Sequence, residues 1–236
     1  MYSLNSNTAV ICDFHLKLND TRFHIIEKFF NEVLSEYENI LILGDFFDFF
    51  YTFPEVSPTG YFDILMLLKN FSFKKKIFYI EGNHDFNLRN FFNIQVFPEK
   101  FFFKMDNKIF LAVHGDTIDK NDKRYRFLRK FLRSTIAKIL MDNLPPYIIL
   151  KIAKHLSGTS EKYLRKKEDT QHFKNFFYKS ELLDENFDFL ISGHFHINDV
   201  FEIKNKKFYL LAGIEHSHIN YLEISNKGVE YKKWKY

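Results

Sequence analysis

Five short clusters of acidic, amide and imidazole residues punctuate this chain. They are Asp13-Phe14-His15, Gly44-Asp45-Phe46-Phe47-Asp48, Gly82-Asn83-His84-Asp85, His114-Gly115-Asp116 and Gly193-His194-Phe195-His196. Carboxylate, amide oxygen and imidazole together suit hard or borderline divalent ions such as manganese, iron or zinc, rather than a thiolate site. A lone Asp-x-His occurs by chance in many chains, and a lone Gly-Asp-x-x-Asp is more often a turn. Gly-Asn-His-Asp is more informative by itself. What chance does not explain is all five in this order, each after a strand-like run. His194 and His196, two apart, point to one side of an extended segment, or diverge in a turn and reach neighbouring metals. His24, His155, His172, His216 and His218 lie outside the clusters and read as surface or core residues.

The elements that must position these clusters are legible as apolar runs. Thr8 to Cys12, Ile40 to Leu43, Ile77 to Ile80, Ile109 to Val113 and Phe187 to Ile191 read as strands. Helical spacing covers Asp20 to Tyr37, with Asp20 or Thr21 as N-cap, and Tyr61 to Leu68. Short apolar strands alternating with helices predict parallel βαβ units. In layered α/β folds strand ends face the ligand crevice, so five motifs at five strand ends can converge. Glycines permit tight turns and close backbone approach there. Later, Phe101 to Met105 pairs with Ile109 to Val113 around Asp106-Asn107-Lys108. Val200 to Ile203, Phe208 to Leu211, Tyr221 to Ile224 and Val229 to Trp234 read as strands, with hairpin turns at Asn205-Lys206 and Asn226-Lys227-Gly228. Residues 121–183 read as helical, broken at Leu144-Pro145-Pro146 and around Ser157-Gly158-Thr159. The layout predicts one domain over 1–236, with a two-sheet core, outer helices and a helical insert over 121–183 forming a cap.

Composition narrows the class. A chain of 236 residues, 46% hydrophobic and 27% charged, has the balance of an ordinary globular domain. Phe is abundant, at 31 residues, which predicts aromatic core with any surplus lining an apolar groove. A net charge of +4 suits an anionic substrate or membrane surface. The single cysteine, Cys12, excludes an internal disulfide and, within Ala9-Val10-Ile11-Cys12, reads as a buried inert thiol. Residues 1–12 show no secretory pattern, and no uninterrupted apolar segment reaches the ~18 residues of a membrane span. A cytoplasmic location is expected. Nucleic acid is not an expected partner, because the basic residues of the insert interleave with large aliphatics instead of forming a cationic stripe with stacking aromatics.

The ordered motif set resembles the calcineurin-like metallophosphoesterase superfamily over residues 8–225. The resemblance implies a four-layer α/β/β/α sandwich and two divalent metal ions, manganese being the expected one and Fe2+ or Zn2+ alternatives. It implies one cation on Asp13, His15, Asp45 and His196, and a second on Asp45, Asn83, His114 and His194. Two cations about 4 Å apart need a bridging anion, the role given to Asp45. His84 is left to donate a proton to the leaving oxygen or to stabilise the transition state. Asp48 is placed to orient His84, with a turn or helix cap as its plainer role.

A narrower resemblance lies mid-chain. His114-Gly115-Asp116-Thr117 followed by Asp122, Tyr125 and Arg129, with a helical insert before Gly-His-x-His, is similar to the UDP-2,3-diacylglucosamine pyrophosphohydrolase family of lipid A synthesis. That family cuts a nucleotide-diphosphate lipid at the α-phosphorus, releasing UMP and 2,3-diacylglucosamine 1-phosphate. The likeness implies substrate contacts from Asn83, Asp122, Tyr125, Arg129, Ser160, Lys167 and His194, although Leu164 stands where a polar residue is expected. In the insert, Arg124, Arg126, Arg129, Lys130, Arg133 and Lys138 alternate with Phe127, Leu128, Phe131, Leu132, Ile136 and Ile139, and Tyr147 to Leu156 repeats the mixture. Apolar faces of this kind enclose acyl chains or rest peripherally on the cytoplasmic face of the inner membrane. Ordinary amphipathic helices capping a core are the plainer reading. One departure matters. The lipid family commonly has Arg at His84 and Glu at Asp48, so another metal-dependent phosphodiesterase or phosphatase is the alternative. A metal-binding scaffold without activity fits less well, since no expected ligand is missing.

Overall fold

Period-2 alternation in a few short strands builds the layers. A computed structural model describes residues 1–4, 6–53, 58–89, 91–149, 151 and 170–236. One six-stranded sheet runs β14 (Gly228–Lys235), β13 (His218–Ser225), β2 (Thr8–Ile11), β3 (Asn39–Ile42), β5 (Lys76–Ile80), β7 (Ile94–Phe97). The other runs β1 (Tyr2–Ser3), β8 (Lys100–Met105), β9 (Lys108–Val113), β10 (Phe189–Ser192), β12 (Lys206–Leu210), β11 (Asp199–Ile203). Ala9, Ile11, Ile40, Ile42, Ile77 and Tyr79 face one apolar cluster, while Val10, Cys12, Leu41, Leu43, Phe78 and Ile80 face another. Strands apolar on both faces must be covered on both. The first face packs under α1 (Phe23–Glu32) and α2 (Phe62–Lys74) through Ile26, Phe29, Phe30, Leu65, Leu68 and Phe71. The second meets Phe101, Phe103, Phe110, Ala112, Ile191 and Tyr209 of the opposite sheet. That sheet turns Leu111, Leu190, Phe208 and Leu210 outward onto Phe173, Phe176 and Phe177. The four-layer α/β/β/α expectation holds, and 21 of the 31 phenylalanines are buried, so the phenylalanine surplus is chiefly core. Cys12 is buried between the sheets as expected.

β2, β3, β5 and β7 are mutually parallel, as are β9, β10 and β12. β13 and β14 close one sheet as an antiparallel hairpin. In the β8–β9 hairpin, Asp106 and Asn107 take φ of 48° and 64°, the left-handed pair that a two-residue turn needs.

Several expected boundaries move. Asp20 does not cap α1. Its carboxylate accepts from the Lys17 and Arg22 N–H groups and from the Arg22 guanidinium, closing the preceding loop, and the helix begins after Arg22. α1 also ends at Glu32, with a short 3₁₀ turn at Leu34–Glu36. α2 runs on to Lys74 because Phe71 and Ser72 continue its buried stripe past Lys69-Asn70. The turn before β12 centres on Lys204-Asn205, with Lys206 already in the strand. β1, β7 and the two-residue strands β4 (Phe50–Tyr51) and β6 (Asp85–Phe86) are additions to the predicted set.

Between β9 and β10 the helical stretch is in parts. α3 (Lys123–Leu132) buries none of its side chains. α4 (Thr135–Asn143) follows after a break at Arg133-Ser134 that sequence reading missed, and its Ala137 and Met141 pack with Tyr51, Phe53, Phe86 and Ile149. α5 (Thr170–Tyr178) is the outer helical layer itself, through Phe173, Phe176 and Phe177. Ser160, Lys167, Leu164, His155 and the Ser157-Gly158-Thr159 break lie outside the described residues.

Candidate metal centre

Every cluster predicted to do chemistry follows a strand. Asp13 and His15 follow β2, Asp45 follows β3, Asn83 follows β5, His114 follows β9, and His194 and His196 follow β10. Asp13, His15, Asp45, His194 and His196 all adopt positive φ, between 45° and 70°. A left-handed non-glycine residue costs free energy and persists where its surroundings over-determine it, which is a mark of functional sites. Here the sharp turns aim the side chains across the seam between the two sheets.

Ties across that seam are direct. The His194 N–H donates to Asp13 Oδ2 at 2.9 Å. His114 Nδ1 donates to the Leu43 carbonyl at 2.7 Å, which turns Nε2 inward to Asn83 Oδ1 at 3.0 Å and Asp45 Oδ2 at 3.3 Å. His15 Nε2 lies 3.8 Å from the same Asp45 oxygen and His84 Nε2 4.0 Å. Asp45 is thus flanked by three imidazoles. The His15 ring stacks on His196, with centroids 5.2 Å apart. Potential ligand atoms of Asp13, His15 and His196 lie within 4.8 Å of one another, as do those of Asp45, His114 and His194, and those of His15, Asp45 and His84. The first two triads share no residue. Asp45 lies between them, its Oδ2 3.8 Å from His15 Nε2 and 3.3 Å from His114 Nε2.

The polar inventory fits cations. Asp13 Oδ1 and both ring nitrogens of His15 are buried without a hydrogen-bond partner, a costly arrangement unless something else satisfies them. Burial, reinforced by neighbouring imidazoles, holds His15 and His194 down at about 3, so both are neutral imidazoles, the form a metal ligand needs. Burial would raise Asp45, yet His114, His84 and His15 outweigh it and keep the carboxylate well below its usual range. For His114 burial is outweighed by Asp45, which lifts the imidazole to about 10.

Sequence reading missed one residue that organises the site. Asp85 lies in the Gly82-Asn83-His84-Asp85 cluster but was given no role. Its carboxylate accepts from the N–H groups of Asp45, Phe46, Phe47 and Gly82 and from the Tyr79 hydroxyl. Burial and Asp45 push it up to about 7 against those donors. The only trace of this in the sequence is an acid three residues after Gly82. Gly82 is equally constrained, since a Cβ there would stand 2.1 Å from Asp45 Oδ1.

Asp48 meets His84 through its main chain, His84 Nδ1 donating to the Asp48 carbonyl at 2.6 Å. In the insert, Asp122 caps α3 by accepting from the Tyr125 N–H at 2.8 Å. The Tyr125 hydroxyl and Arg129 Nε both reach Asp116 Oδ2, at 2.5 and 2.7 Å. The structure therefore shows all three in intramolecular contacts beside the site. His24, His172 and His216 are exposed, His218 pairs with Glu215, and none of the four belongs to a potential ligand triad.

The profile of the calcineurin-like phosphoesterase family matches residues 6–198. The chain belongs to the calcineurin-like phosphoesterase family. The matched range spans all five clusters, and the family implies divalent metals, for which these triads are candidate holders. This metal-dependent phosphoesterase is similar to the UDP-2,3-diacylglucosamine hydrolase of Wigglesworthia glossinidia brevipalpis, 24% identical over 233 residues that cover 94% of this chain and 92% of the relative. It is 26% identical to the enzyme of that name from Shewanella pealeana, covering 94% of this chain and 96% of the relative. The Histophilus somni (strain 2336) enzyme is 29% identical, over 95% of this chain and 98% of its own. No helix among the described residues of the phosphoesterase is long and apolar enough to cross a membrane.

Proposed function

We propose that this phosphoesterase is a dinuclear-metal hydrolase that cleaves the pyrophosphate of UDP-2,3-diacylglucosamine, giving UMP and 2,3-diacylglucosamine 1-phosphate for lipid A synthesis. The observation that carries the reading is the likeness to UDP-2,3-diacylglucosamine hydrolases along nearly their whole length. In this reading Asp13, His15, Asp45 and His196 hold one cation, and Asp45, Asn83, His114 and His194 the other, with manganese the ion of choice. When bound, the cations supply Lewis-acid charge that lowers the pKa of water and offsets charge on the phosphoryl oxygens.

The protein's own groups do the rest. His84 is fixed through Nδ1 by the Asp48 carbonyl, which leaves Nε2 facing the centre. Burial lowers its basicity, but Asp45 and the Asp48 carbonyl outweigh burial and raise it. In this reading His84 Nε2 passes a proton to the leaving phosphate oxygen. Asn83 and His194 also meet the phosphates, and Ser160 and Lys167 contact substrate from the segment outside the described residues. Asp122, Tyr125 and Arg129 contact substrate from the insert in this reading, with Tyr125 and Arg129 braced on Asp116.

The lipid end is received by α3 and α4. Phe127 is 75% exposed, Ile136 69% and Ile139 56%, with Phe131, Leu140 and Tyr147 also outward and Arg124, Arg126 and Lys130 beside them. Apolar rings interleaved with cations suit acyl chains and the anionic cytoplasmic face of the inner membrane. A second reading, a phosphodiesterase or phosphatase with another substrate, is favoured by the His84–Asp48 pairing, where the lipid family commonly has Arg and Glu. Incubation with UDP-2,3-diacylglucosamine and manganese in detergent separates them. UMP release that Asp45→Ala abolishes is expected. Turnover of simple phosphodiesters without UMP release would favour the second reading.

A further inference from the structure

Arg133, at the C-terminal end of α3, joins the insert to the loop that carries Asn83 and His84. Its Nη1 donates to Glu81 Oε2 at 2.7 Å and to the Pro98 carbonyl at 2.9 Å, and its Nη2 donates to the Gly82 carbonyl at 2.9 Å. The Arg133 side chain is 16% exposed and that of Glu81 6%. A charge-assisted fork made away from bulk water is strong and directional, and lysine cannot reproduce it. Glu81 Oε1 in turn accepts from the Leu88 N–H at 2.8 Å, so the fork grips both ends of the 81–88 loop.

The gripped point has no slack. The Gly82 N–H donates to Asp85 Oδ1, and a Cβ on Gly82 would collide with the Asp45 carboxylate. One residue on is Asn83, and after it the His84 N–H donates to Asp45 Oδ1 at 2.8 Å. A shift of the Gly82 carbonyl would therefore move Asn83 and disturb Asp45 together. Among the described residues, the insert's other side-chain hydrogen bonds do not reach residues 81–84. Tyr125 and Arg129 reach Asp116, and Asp142 of α4 reaches Arg89 and Tyr51.

We propose that Arg133 is a positioning residue that holds the Gly82-Asn83-His84 turn against Asp45, so that seating of the insert and affinity for divalent cations are coupled. The proposal rests on the metal-centre reading and is independent of the lipid substrate. Coupling of this kind is reciprocal, so cation binding must also steady α3.

Manganese titration calorimetry on the full chain tests it, with thermal denaturation in EDTA run on the same variants. Arg133→Gln is expected to weaken manganese binding about tenfold, as loss of an outer-shell support does. Arg133→Lys keeps the charge but not the fork, and is expected to recover stability without recovering affinity. Asp142→Ala loosens the same insert without touching the 81–82 contacts, and its affinity should stay within about twofold of the parent. Manganese should slow amide hydrogen exchange along α3 in the parent and not in Arg133→Gln. Should Arg133→Gln fail to fold, Glu81→Gln reads the same contact from the other side, with the same expected loss. Parental affinity in Arg133→Gln or in Arg133→Lys overturns the proposal. So does equal weakening by Asp142→Ala, which would assign the effect to insert stability alone. A chain that releases no UMP from the lipid would leave this titration intact, so the two readings fail separately.

Discussion

Two residues outside the expected ligand set hold that set in place. Asp85 gathers four main-chain N–H groups and a tyrosine hydroxyl from two loops. Removing the acceptor strands those buried donors, and each unsatisfied group costs about 1–3 kcal/mol. Asp85→Ala is therefore expected to destabilise the fold by about 3 kcal/mol or more, read by chemical denaturation. A loss under about 1 kcal/mol would mean that water replaces the carboxylate. Gly82→Ala tests geometry. Its Cβ would stand 2.1 Å from Asp45 Oδ1 and 2.5 Å from Asp45 N, so the carboxylate must leave its position. Manganese affinity should fall about 10–100-fold with the variant still folded. Unchanged affinity would show that Asp45 does not bridge. The ligand candidates were legible because metal chemistry confines itself to few residue types, repeated after each strand. Asp85 was not, because its partners are spread along 40 residues and only folding assembles them. The bond from His84 Nδ1 to the Asp48 main-chain carbonyl is likewise one that residue identity cannot foretell.

Among elements, short apolar strands with both faces buried were readable from the run itself, as β2, β3 and β5 illustrate. The two-residue strands β4 and β6 were not, since two residues have no period, yet they carry Asp85 and hold the His84 turn through the Phe50 N–H and the His84 carbonyl. The break between α3 and α4 did have a signal. Ser134 caps α4 by accepting from the Ala137 N–H, and serine is a favoured N-cap. The apolar run around it masked that signal. α3 is the element whose packing least explains its sequence, because Phe127, Leu128 and Phe131 cover no core. If their role is lipid contact, Phe127→Glu with Phe131→Glu should change folding stability by only about 0.5 kcal/mol per site, the range of surface substitutions. Binding to anionic vesicles in a sedimentation assay should drop strongly while turnover of a soluble phosphodiester persists. Vesicle binding equal to the parent's would remove α3 from the membrane-facing reading.

At the scale of the whole molecule, the metal centre is also a closure between sheets. Asp13, His15 and Asp45 rise from the sheet of β2 and β3, while His114, His194 and His196 rise from that of β9 and β10. Each of the two separate triads draws from both sheets. A cation on either triad therefore ties the halves of the sandwich at the rim where their parallel strands end. The apolar layer of Phe101, Phe103 and Phe110 against Phe78 and Leu41 holds them below. Such a cation binds the folded chain and not the separated strands of the unfolded one, so it must stabilise the fold by mass action. The gain is about 2.7 kcal/mol at a hundredfold excess over the dissociation constant. The melting temperature should rise with the logarithm of manganese concentration and fall to a fixed floor in EDTA, by differential scanning calorimetry. In Asp45→Ala, where both triads lose their shared neighbour, the dependence should flatten. His84→Ala should keep it under the proposed role, in which His84 serves the substrate and not a cation, while turnover falls by about 10²–10⁴-fold. A melting temperature indifferent to manganese in the parent would contradict a closure of the two sheets by metal, whatever the substrate.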